Sequence, residues 1–99
     1  MKLNIQSIHF DADQKLIDII QTKSDKLDQY FDRIVSGEVF LRLEKSDSRE
    51  NKLVEIKLIV PGNDLFASKR AASFEEAVDE CIEALRRQVK KLKERLQEH

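Results

Sequence analysis

VEIKLIVPG, residues 54–62, is the stretch that decides the fold. Val54, Ile56, Leu58 and Val60 alternate with Glu55, Lys57 and Ile59, the two-residue period of a strand that buries one face. Pro61-Gly62 then falls on the two central positions of a type II turn. Proline's fixed φ suits the first of these, and the second needs a positive φ that glycine adopts without strain. The chain therefore reverses, and a short strand at about residues 64–70 is expected to return beside this one.

Upstream, Val39, Leu41 and Leu43 alternate with Phe40, Arg42 and Glu44 as another strand, and the polar stretch KSDSRENK (45–52) is the loop between the two. At the N-terminus Leu3 and Ile5 share one face, with Lys2, Asn4 and Gln6 on the other. The apolar phase shifts at Ile8 and Phe10, so this first strand ends or bulges there. Asp11 or Asp13 can cap a helix. Leu16, Ile20, Leu27, Phe31 and Ile34 recur at helical spacing, which predicts a helix over about 13–33, ended by Ser36-Gly37.

Downstream, Ser73 is a good N-cap, and Glu75, Glu76, Asp79 and Glu80 favour the positive end of a helix dipole. A helix over about 74–96 places Phe74, Val78, Cys81, Ile82, Leu85, Val89, Leu92 and Leu96 in one apolar stripe. The order is β-α-β-β-β-α. The first two strands, joined through a helix, are expected to be parallel, and the later ones to form an antiparallel meander. The expected class is α+β, a two-layer sandwich in which two helices cover one face of a four-stranded sheet.

Ninety-nine residues suit one domain, expected to span 1–99. Charged residues make up 37% of the chain, a level compatible with disorder, but the clean apolar periods imply a folded core. A single cysteine, Cys81, cannot form an internal disulfide, and its place on the apolar stripe makes it a small core residue. MKLNIQSIHF lacks the apolar segment of a secretory signal, and no apolar run approaches the ~20 residues of a membrane span. A cytoplasmic location without membrane attachment is expected.

The net charge is −1, yet Arg86 to Arg95 carry six positive charges against one negative. At ~100° per residue, Arg86, Lys90 and Lys93 line one flank of the last helix, with Arg87 and Lys91 on its back. On the first helix Lys15, Lys26 and Arg33 align, with Lys23 at the edge of the apolar stripe and Asp18, Asp25, Asp28 and Asp32 on the opposite flank. Basic residues near a helix C-terminus also complement its dipole. Segregation of sign on two helices argues further, for a basic groove that tracks a phosphate backbone.

Chemistry has little else to stand on. His9, His99 and Cys81 are too few and too scattered for a metal site, and no cofactor is expected. The only glycines, Gly37 and Gly62, form no phosphate-binding loop. Glu75 and Glu76 are accounted for by the helix start. No enzymatic activity and no small-molecule substrate are expected.

Four stretches carry a family resemblance: MKLNIQS (1–7), KLDQYFDRI (26–34), VFLRLEK (39–45) and EALRRQVKKLKERL (83–96). Across its length the chain resembles the ribosome hibernation-promoting factor and ribosome-associated inhibitor A family, formerly called sigma-54 modulation protein, in its short form. The resemblance implies a β-α-β-β-β-α fold similar to a double-stranded-RNA-binding domain with an added first strand. It implies a protein, monomeric off the ribosome, that occupies the small ribosomal subunit through its ribosomal RNA and inhibits translation in stationary phase or stress. By resemblance the RNA-binding residues are Lys23, Lys26, Arg87, Lys91 and Lys93, and Arg86 and Lys90 extend the patch. Ser73-Phe74-Glu75 and Lys69-Arg70 depart from the family pattern. Alternatives are a double-stranded-RNA-binding module or a regulatory protein-interaction domain without ribosome specificity. Whether ribosomes are paired or kept single stays open.

Overall fold

The computed structural model describes residues 1–45 and 47–96. Its elements run β1 (Lys2–Ile8), α1 (Gln14–Tyr30), β2 (Ser36–Leu43), β3 (Lys52–Ile59), β4 (Leu65–Ala71) and α2 (Phe74–Leu96). The strands lie in the sheet in chain order, β1 parallel to β2 and the others antiparallel. This is the expected α+β arrangement. Asn63 donates to the Val60 carbonyl at 3.1 Å and Gly62 has φ 81°, the geometry that Pro61-Gly62 called for.

Alternation in β2, β3 and β4 becomes a core through register. Val39, Ile56 and Ala67 stand opposite one another, as do Leu41 and Val54, and Leu58 and Leu65, all buried on one face. Both helices cover that face. From α2 come Ala77, Val78, Cys81, Leu85 and Val89, and from α1 Ile20 and Leu27. Phe74, Leu92 and Leu16 are half-buried at its margin. Leu96, expected on the stripe, is 40% exposed because it lies in the last turn of the helix, beyond the buried span that ends at Val89.

Of the two candidate caps for α1 it is Asp13 that acts, its carboxylate accepting from the Leu16 N–H at 2.9 Å. Ser73 does the same for α2, its hydroxyl accepting from the Glu76 N–H at 3.1 Å. β1 stops at Ile8 because His9 takes a positive φ of 72°, and the next residue, Phe10, stacks on Phe74 with ring centroids 4.6 Å apart.

Two expectations about the end of α1 need correction. α1 ends at Tyr30, not near 33: Phe31 turns extended (φ −147°, ψ 110°) while its N–H still donates to the Leu27 carbonyl at 2.8 Å. Phe31 and Ile34 are buried all the same, so an extended connection satisfies the apolar spacing that suggested helix. Gly37 is not a helix stop but the second residue of β2. A Cβ there would lie 2.7 Å from Leu3 Cδ2 and 3.3 Å from Leu58 Cδ2, so a side chain at that point would require the Leu3 side chain to shift.

At the β4 side the Gln88 amide meets the backbone of Phe66 twice. Its Oε1 accepts from the Phe66 N–H at 3.3 Å and its Nε2 donates to the Phe66 carbonyl at 2.7 Å. Lys69 stands opposite Val54 in the register, on the helix-facing side of β4. No helix among the described residues is long and apolar enough to cross a membrane.

Cys81 is fully buried, and its Sγ donates to the Val54 carbonyl at 3.3 Å. Desolvation pushes the thiol pKa up to about 12, so the reactive thiolate is scarce at neutral pH. Alkylation is therefore expected to be slow in the native protein and fast in denaturant. Equal rates in the two conditions, read by mass spectrometry, would contradict the core placement.

Candidate nucleic-acid interface

Between α1 and α2 runs an open groove lined by Lys23, Lys26 and Tyr30 on one side and Asp79, Glu83 and Arg86 on the other. The helical period explains the second set. Asp79, Ile82 and Arg86 recur at three- and four-residue steps and Lys93 follows seven residues on, two turns later, which puts them on the α2 flank that faces α1. Gln88, which bonds Phe66, marks the other flank, toward β4. Lys90 continues outward from Arg86, and Arg87 and Lys91 lie on the exposed back.

The predicted cations differ in their surroundings. Lys23 forms an ion pair with Asp79 across the groove. Arg87 Nη1 is 3.8 Å from Glu83 Oε1, one turn earlier on α2. Lys93 Nζ donates to the Tyr30 carbonyl at 3.0 Å and lies 4.2 Å from the centre of the Tyr30 ring. It thus places a positive charge at the negative end of α1 and holds the C-terminal ends of the helices together. Lys26, Arg86, Lys90 and Lys91 are exposed and have no ion-pair partner among the described residues.

Since α1 ends at Tyr30, Arg33 and Asp32 leave its faces, and the expected alignment of Lys15, Lys26 and Arg33 on one helix surface does not form. Carboxylates on the opposite flank have an occupant of their own. The Met1 ammonium pairs with Asp28 and, at 2.9 Å, with Asp25. Hydrogen bonds to Asp28 and then Asp25 raise the pKa of this amino group, and the same contact, aided by Gln21, holds Asp25 below the usual carboxylate range.

Sequence reasoning identified the charges but missed their couplings. Asp79 and Lys23 are 56 residues apart, and pairing them requires knowing which α2 flank faces α1. Spacing places Asp79, Arg86 and Lys93 on a common flank, and that is the only signal available from sequence. Among the described residues no group of His, Cys, Asp and Glu is suited to hold a metal ion. His99 lies outside the described residues.

Residues 3–97 match the family described as Sigma 54 modulation protein / S30EA ribosomal protein. The chain is 31% identical over 99 residues, the full length of both proteins, to the ribosome hibernation promoting factor of Escherichia coli K12. It is 31% identical over 97 residues to the factor of Pseudomonas putida, covering 98% of this chain and 91% of that one. Among solved structures it superposes on a ribosomal subunit interface protein from Coxiella burnetii with a TM-score of 0.83, covering 94% of this chain and 98% of that one. The identity of 18% makes that a likeness of fold. The N-terminal domain of Thermus thermophilus Protein Y gives a TM-score of 0.76 at 25% identity, over 92% of this chain and 94% of that one.

Proposed function

The chain belongs to the Sigma 54 modulation protein / S30EA ribosomal protein family, and from this we propose that it is a ribosome-binding hibernation factor. In this reading it occupies the small subunit, contacts ribosomal RNA through the basic groove, and inhibits translation in stationary phase or under stress. It does so as one domain over residues 1–99, in the cytoplasm and without catalysis: occupancy alone excludes other ligands from the site.

The observation that carries the reading is the set of cations without an ion-pair partner among the described residues. Lys26 and Arg86 sit on facing sides of the groove, Lys90 extends that surface by about one helical turn, and Lys91 adds an exposed charge on the back of α2. Phosphates spaced along an RNA backbone are neutralised by such a row, and counterions released from the RNA supply the free energy. Lys23 and Arg87 join once they leave their carboxylates, and Lys93 fixes the angle at which the groove is presented. A net charge of −1 then has a use, because acidic surfaces elsewhere turn only this face toward the RNA.

Sedimentation of a cell lysate through a sucrose gradient tests the reading. The protein is expected in the ribosomal fractions, bound to isolated small subunits, and released as salt rises. Migration with free protein at low salt would refute it, and binding to any RNA duplex with equal affinity would favour a general double-stranded-RNA binder.

A further inference from the structure

We infer that Asp79 competes with RNA phosphate for Lys23 and so limits how tightly the groove holds RNA. The inference rests on the ribosome-binding reading above and adds to it a residue that sets affinity by opposing the ligand.

The groove is not uniformly basic. Its α1 side presents Lys23 and Lys26 one turn apart, and its α2 side presents Asp79 two turns before Arg86. Asp79 bonds Lys23 directly, whereas Lys26 and Arg86 are unpaired among the described residues. The contact bridges the two helices within the acidic half of α2, about two turns before the basic run begins at Arg86. Glu75, Glu76, Glu80 and Glu83 flank Asp79 along α2, and the basic run follows. Of the two carboxylates that line the groove, Asp79 is the one bonded to a lysine of its far side, whereas Glu83 faces Arg87 on its own helix. Asp79 is therefore the one that occupies a groove cation.

Chemistry favours competition over a purely structural tie. The Lys23 side chain is 30% exposed and that of Asp79 54%, so water and ions reach both. An ion pair in that setting contributes little to folding, and an incoming phosphate is another anion for the same ammonium. When Lys23 turns to phosphate, Asp79 is left beside a polyanion and repels it. Removing the Asp79 charge removes both effects.

Affinity for isolated small subunits is the measurement, taken over a salt series with a single-stranded RNA homopolymer as a second probe. Asp79→Asn should bind both about two- to five-fold tighter than wild type, the span of an exposed ion pair. Its salt slope should be steeper by up to about one unit, because Lys23 is released to phosphate. Glu75→Gln removes an equal charge from α2 without freeing a lysine and should give a smaller gain. In a Lys23→Gln background Asp79→Asn should give no more than the Glu75→Gln gain.

A gain equal to that of Glu75→Gln, or one that persists undiminished without Lys23, would overturn the inference, since Asp79 would then act independently of Lys23. A lower melting temperature together with weaker binding would also overturn it and make Asp79 a helix tie. If wild-type protein fails to bind small subunits, the ribosome reading fails instead, and the homopolymer arm still decides whether Asp79 opposes phosphate.

Discussion

Leu85→Ala is expected to lower the unfolding free energy by about 2–5 kcal/mol. Leu85 is fully buried at the centre of the α2 stripe, with Cys81 and Val89 one turn to either side, both also fully buried. Three carbons would leave, Cγ and its two methyl groups, and the neighbours are held from closing in. Val54 and Ile56 are fixed by register in the middle of the sheet, and α2 is held to β4 by the Gln88 contacts with Phe66. A cavity remains and adds to the lost transfer energy. Domains of this size have a stability of about 5–15 kcal/mol, so the variant gives up a large fraction. Leu27→Ala on α1 should behave alike, because Leu27 is 2% exposed in the same cluster. Urea unfolding followed by circular dichroism measures both. A loss under about 1 kcal/mol for Leu85→Ala would mean that α2 does not seal the sheet.

The second large effect is on binding. Replacing Lys90 and Lys91 together by Gln should weaken binding to ribosomes by about 10- to 100-fold near 0.1 M salt and flatten the salt slope by up to about two units. Both side chains are exposed and neither has an ion-pair partner among the described residues, so their removal breaks no internal contact. The melting temperature should move little. That separates this pair from Lys93, whose loss would also release the Tyr30 carbonyl at the end of α1. Pelleting with ribosomes is the readout. If the double variant pellets as wild type does, the basic run serves the helix dipole and not RNA.

Legibility in the sequence followed the range of the interactions. Alternation in β2 and β3 could be read because one face of the sheet is buried and the other is not, and Pro61-Gly62 specifies its own turn. Ser73 announced the start of α2 in the same local way. The end of α1 was hidden because no glycine marks it, and Leu27, Phe31 and Ile34 keep a helical spacing while the backbone has already become extended at Phe31. Gly37 misled for a related reason. Its constraint comes from Leu3 across the parallel pair, and nothing near it in the chain reports that contact.

For the groove, residue types were legible and partners were not. Arg86, Lys90 and Lys91 stood out through charge alone, and exposure is all that their proposed role requires. Which lysines are already engaged depends on how α1 and α2 face each other. Lys23 with Asp79, and Lys93 with Tyr30, join residues 56 and 63 positions apart. Periodicity assigns a residue to a face of its own helix and gives no information about the helix beside it.

The Gln88 amide has a consequence for life at high concentration. β4 is an outermost strand, and such a strand offers unpaired N–H and carbonyl groups on which a foreign chain can crystallise into a longer sheet. At Phe66 both groups are already taken by one side chain, a substitute for the neighbour that is not there. Three residues on, Lys69 turns an ammonium toward the helix layer, where an added strand would have to bury it further. At these two points of β4 the addition of a foreign strand is disfavoured.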